Sequence, residues 1–215
     1  MFQLISMLQA AYDKWNEKGN EEMLTKRKKT LTLFIVSAFL NLFLFLFAYF
    51  LKLPMWLDTT GTIYITLLLD FPAGFLVGLI NNVILSLFFY GFDSISYYLV
   101  SATLAFGTSL YLKYRVKRGK PLNFTFAFSL LSIIFFISIC LAIPLTLLVD
   151  KGIPSDYWGQ QLYATFVSNN MNSIVSTALS TSMIKLIDVI ATIAIVMLAL
   201  RITPKRFKNE EYLIW

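Results

Sequence analysis

Lys185 and Asp188 are the one oppositely charged pair inside a long apolar stretch. Three positions apart, they share one face of a helix. Burying either alone costs several kcal/mol, so each needs the other, further polar groups or a ligand. A structural ion pair and a binding role both meet that need. A second group is Trp56-Leu57-Asp58-Thr59-Thr60-Gly61-Thr62, with one carboxylate and three hydroxyls beside a glycine. It suits the rim of a polar binding site; the alternative is a helix start capped by Asp58 or Thr59. A third is the adjacent amide pair Asn81 and Asn82, which follows Gly74 and Gly78. The glycines read as a close helix contact, whereas at least one of the two amides must face a cavity or another polar group. The fourth runs from Asp150 to Asn172 and holds Tyr157, Trp158, Gln160, Gln161, Tyr163, Asn169, Asn170 and Asn172. Rings interleaved with amides suit a lid over a small molecule. An interfacial aromatic belt with solvated amides has the same composition.

Other chemistries are excluded. There is no histidine and a single cysteine, Cys140, which removes histidine triads, Cys/His zinc sites and an intrachain disulfide. No Gly-rich nucleotide loop is present. Intramembrane catalysis needs paired acids, a Ser-Lys pair or metal ligands on facing helices. Lys185 with a serine has no spacing to support it. Neither catalytic residues nor a cofactor are expected.

The elements that carry these groups follow from composition. Apolar residues make up 58% of the 215-residue chain and charged residues 14%, against about 25% charged in soluble domains. Mean hydropathy is +0.70. The first thirty residues carry charges throughout and have no apolar signal-type stretch. The expected fold is all-α, a polytopic membrane protein with six spans: Leu31–Phe50, Leu57–Leu69, Pro72–Tyr90, Ser94–Leu112, Phe124–Val149 and Ile174–Leu200, judged against about 20 apolar residues per crossing. The second begins with polar residues, and irregular backbone there must be buried in protein or line a wet cavity.

Positive charge sets the orientation. Of 18 lysines and arginines, only Lys52, Lys151 and Lys185 lie outside three clusters: residues 14–29, 113–120 and 201–208. Those clusters place both termini and the loop between spans 4 and 5 in the cytoplasm. The net charge of +6 is thereby explained by topology and makes no case for nucleic acid. Three regions follow: an amphipathic, basic segment 1–30, a six-helix membrane domain 31–200 and a basic tail 201–215. In the first, Phe2, Ile5, Leu8, Tyr12 and Trp15 recur at helical spacing and read as a helix lying on the inner leaflet; docking to a partner is the alternative. The tail Tyr212–Trp215 suits the interface or a partner. No internal repeat supports an inverted-repeat carrier.

With six spans and both ends inside, Trp56–Thr62 followed by Asp70-Phe71-Pro72-Ala73-Gly74, Gly78 and Asn81/Asn82, the chain resembles the substrate-binding S components of energy-coupling factor (ECF) transporters. The resemblance covers about residues 30–206. It implies a subunit of a bacterial cell membrane that captures a vitamin-like solute in an outer pocket. It further implies docking on a transmembrane coupling subunit driven by an ATPase pair. Similar modules form the sensory end of bacterial signalling proteins, and a small secondary carrier is a further alternative. The expected pocket joins Trp56, Asp58, Thr59 and Thr60 with Asn81 and Asn82. Trp158, Gln161, Tyr163 and Asn170 are expected above it, and Lys185 and Asp188 beside it.

Overall fold

The computed structural model describes residues 2–120 and 123–207, with side chains from residue 23 onward. Among the described residues the chain is helical, without strands. Helix α1 spans Phe2–Phe50, α2 Thr60–Leu68, α3 Phe71–Leu85, α4 Tyr98–Lys117, α5 Phe124–Leu148, α6 Tyr157–Ser168 and α7 Ser173–Ile202. A wide π turn, Ser86–Tyr90, extends α3, and a 3-10 segment, Phe92–Tyr97, leads into α4.

Local chemistry explains most of the helix starts. The Asp70 carboxylate accepts the Phe71 amide at 2.6 Å, with Pro72 in the first turn of α3. Asn123, Asp156 and Asn172 cap α5, α6 and α7 through the amides of Phe126, Gly159 and Ile174. Helix α2 is different. Thr59 holds the cap position without a side-chain bond, so the capping reading of Asp58 and Thr59 does not hold. The cap comes from another helix: Asn41 of α1 accepts the Gly61 and Thr62 amides through Oδ1 and donates to Thr62 Oγ1 at 2.9 Å.

Among the described residues, five stretches are long and apolar enough to cross a membrane: Met23–Phe50, Phe71–Tyr90, Phe92–Lys117, Phe124–Leu148 and Ser173–Ile202. Large apolar side chains such as Phe39, Phe128, Phe136 and Leu198 point outward, as lipid-facing residues do. This is the architecture of a multi-pass membrane protein.

The expected second span, Leu57–Leu69, forms only nine residues of helix, all buried. At 1.5 Å per residue that is about 14 Å, too short to cross a bilayer core alone. The cause is the polar lead-in Asp58–Thr59, which stays irregular before the helix. Helix α1 continues through residues 30 and 31 without a break, so the boundary expected there is not a turn. The side chains of the Phe2–Trp15 stripe and the tail Tyr212–Trp215 lie outside the described residues.

Helix α2 sits at the centre of the bundle. Ile63, Tyr64, Leu67 and Leu68 join Leu104 of α4, Leu130 of α5 and Val196 of α7 in one buried core. Gly61 rests against the Ser37 carbonyl of α1, and Gly74 against Thr66, so closely that a Cβ at either position would overlap its neighbour. Contacts to α7 fix the depth of α2. The Leu57 amide meets Asp188, and the Tyr64 hydroxyl meets Thr203 at 2.7 Å. Fifteen residues of helix separate those partners, about 22 Å along the axis of α7.

Candidate functional site

The polar groups gather at the α6 end of the bundle. Asp188, 3% exposed, accepts the Trp56 and Leu57 backbone amides through one oxygen, at 2.9 and 2.8 Å. Its other oxygen pairs with Lys185 Nζ at 3.2 Å. The carboxylate thus satisfies two donors that irregular backbone would otherwise leave unpaired inside the bundle. It also holds Leu57 at a φ of 56°, a left-handed conformation that costs a side-chain-bearing residue about 1–2 kcal/mol. The Lys185 ammonium stands 5.6 Å from the Trp56 ring centroid, at cation–π range.

With its backbone pinned, the 56–59 segment becomes the wall of two joined cavities. One, of about 60 Å³, is bounded by Trp56, Asp58, Thr59, Ser101, Thr181 and Lys185, with Pro154–Asp156 on the α6 side. The other, of about 170 Å³, lies between Asp58, Asn82, Ser86, Tyr90, Asp93 and Asp150. Trp56, Asp58, Tyr97 and Ser155 line both. A wider aromatic cleft of about 570 Å³ adjoins them, between Tyr49, Phe89, Tyr157 and Gln160.

Satisfied and unsatisfied groups divide clearly. Tyr97 donates to Asp150 at 2.6 Å. Asn82 donates to the Gly78 carbonyl and to Ser101, both at 2.9 Å. Thr60 donates to the Leu57 carbonyl, and Asn81 to the Asp58 carbonyl. By contrast, Asp58 Oδ1, Asn81 Oδ1 and Thr181 Oγ1 are buried without a hydrogen-bond partner. Buried polar atoms are nearly always paired, and two of these three residues line the first cavity. Asp156, half-buried there, has its carboxyl pushed above the ordinary carboxylate range by burial, against the opposing pull of the Gly159 amide.

The structure brings together Trp56, Asp58, Thr59, Asn82 and Lys185, with Asp188 directly behind. Thr60 and Asn81 stand one layer back. Gln161, Tyr163 and Asn170 are not among the residues lining these cavities: Gln161 and Asn170 are exposed, and Tyr163 lies on the flank of α6. Trp158 does not line them either; its indole N–H donates to the Lys52 carbonyl at 2.6 Å and clasps α6 to the loop after α1. Sequence reasoning missed Tyr90, Tyr97, Asp156 and Thr181. Thr181 had a signal, since it lies four positions before Lys185 on the same helix face. Among the described residues no three His, Cys, Asp or Glu side chains are grouped to hold a metal ion.

Comparisons with family models, with curated proteins and with solved structures return no match to the chain.

Proposed function

We propose that the protein is the solute-capture subunit of an ECF-type uptake transporter. A small solute enters the joined cavities from outside the cell, and the loaded subunit hands it to an ATP-driven coupling module. The observation that carries this reading is the pair of cavities sharing Trp56 and Asp58, with partnerless buried oxygens on Asp58 and Thr181. A bound solute supplies the missing partners.

The topology fits. Taking α2 as a short sixth crossing, the basic clusters at 14–29, 113–120 and 201–208 all fall on the cytoplasmic side. The α6 end, with the cavities, then faces outward. In this reading the energy for release comes from partners: a transmembrane coupling subunit and its ATPases.

The test is purification of the full chain in mild detergent, with mass spectrometry of extracted small molecules and of co-isolated proteins. A stoichiometric solute together with a large membrane subunit and ATPases supports the reading. Uptake by the isolated protein in liposomes, driven only by an ion gradient, replaces it with a secondary carrier. A bound solute with a kinase or response regulator as the co-isolated partner replaces it with a sensory module.

A further inference from the structure

We infer that the joined cavities select an organic ammonium ion, a protonated or quaternary amine on a small apolar body. This rests on the capture reading above and names the chemical class of the captured solute.

Charge favours a cation. Among the described residues, four carboxylates line the two cavities, Asp58, Asp93, Asp150 and Asp156, and one cation, Lys185. Lys185 already pairs with Asp188, a fifth carboxylate. Lys52 is the cation of the adjoining cleft and stands over the Tyr157 ring, 5.4 Å from its centroid. A carboxylate or phosphate solute therefore meets an excess of like charge at short range, and in a water-poor cavity that repulsion is weakly screened.

Asp58 lacks a donor. Its Oδ1 is buried and accepts no hydrogen bond. A carboxylate oxygen so placed is costly until a donor arrives, and a charged N–H donor is the strongest available. Thr181 adds an independent sign of a missing ligand. It is 8% exposed, its hydroxyl has no partner, and it lines the same cavity as Asp58.

The wall around Asp58 is aromatic. Trp56, Tyr90 and Tyr97 border the second cavity around Asp58, and the Trp56 and Tyr90 rings lie 5.3 Å apart. Rings beside a carboxylate are how proteins hold alkylammonium groups, because the ring faces attract the cation and shed its water. Tyr97 keeps its hydroxyl on Asp150 at 2.6 Å, which leaves its ring as an apolar wall.

The test uses three probes of nearly equal shape, 2-phenylethylammonium, 2-phenylethanol and phenylacetate, titrated calorimetrically at neutral pH into the full chain in detergent after any bound solute is removed. The ammonium is expected to bind at least about tenfold more tightly than the alcohol, a factor worth about 1.4 kcal/mol, with phenylacetate weakest. In Asp58→Asn the ammonium's advantage over the alcohol should shrink to about threefold or less. The ranking in the unaltered protein stands on its own if that variant fails to fold. Equal affinities, a preference for phenylacetate, or no binding of the ammonium overturns the assignment. A phenylacetate preference leaves solute capture intact, whereas silence from all three probes together with no copurifying solute overturns both.

Discussion

Asp188 holds the backbone amide of Trp56 at 2.9 Å across 132 positions of sequence, and so a carboxylate in α7 sets where the chain enters α2. The pair with Lys185 is the more visible feature in the sequence, yet the backbone bonds do more to shape the site. They fix Trp56 as a wall and leave Asp58, the next residue but one, facing the cavities.

Asp188→Ala is expected to lose about 3–5 kcal/mol of stability, as when one member of a buried ion pair is removed. Two amides and the Lys185 ammonium are then left without their acceptor. Lys185→Met should lose less, about 1.5–3 kcal/mol, because the amides still hold the carboxylate. Thermal or denaturant unfolding in detergent gives the order; equal losses would show that the amide bonds matter little.

Asn41→Leu removes the cap that α1 supplies to α2. Two buried donors, the Gly61 and Thr62 amides, lose their acceptor, and about 2–4 kcal/mol should go with them. Thr59→Val, at the formal cap position, should cost less than about 1 kcal/mol, since its side chain makes no capping bond. The same unfolding assay separates the two.

Orientation is checked by labelling. With Cys140 changed to Ser, single cysteines at Lys52 and Lys151 should react with an impermeant reagent on intact cells, and one at Lys117 should not. Reaction at position 117 contradicts the cytoplasmic placement of the basic loop.

Asp70 gives a pH signature. Despite the upward push of partial burial, its pairing with Lys113 at 2.8 Å and the Ser109 and Phe71 donors hold the carboxyl below the ordinary value. An acid lowered in the folded state adds stability above its unfolded value, near 3.9, and loses it as pH falls through the folded one. The pair is partly exposed, at 53% and 35%, so Asp70→Asn should cost under about 1 kcal/mol at neutral pH. It should also flatten the fall in melting temperature below about pH 4. An unchanged acid limb would assign the acid sensitivity elsewhere.

Much of this arrangement was legible from polarity at membrane depth. Asp58, Lys185 and Asp188 stood out because charges in apolar stretches demand partners, and those residues do meet around the Trp56 turn. The five long helices followed from apolar run length. The cap of α2 was not legible, because its acceptor, Asn41, lies in a different helix and local signals stop at Thr59. Thr181, its spacing from Lys185 apart, was hidden for another reason. Hydroxyls in helices usually bond their own backbone, as Ser180 and Thr103 do here, so their type alone says nothing of a cavity. Gln161, Tyr163 and Asn170 were grouped by composition, but α6 presents only some of its positions to the bundle, and Asn170 lies beyond its end in an exposed turn.

Helix α2 has a consequence for how the protein is made. With all nine residues buried, its first turn capped by Asn41 and the Trp56–Leu57 backbone before it held by Asp188, it offers no face to lipid. Its length also falls short of what lets a helix partition into the bilayer independently. It must therefore enter alongside its neighbours, wedged against α1 and α3 and secured once α7 has been synthesised and supplies Asp188. Until then the nascent chain holds an incompletely inserted hairpin, a state that depends on the translocation machinery for shelter. Chains truncated before residue 188 should accordingly be degraded.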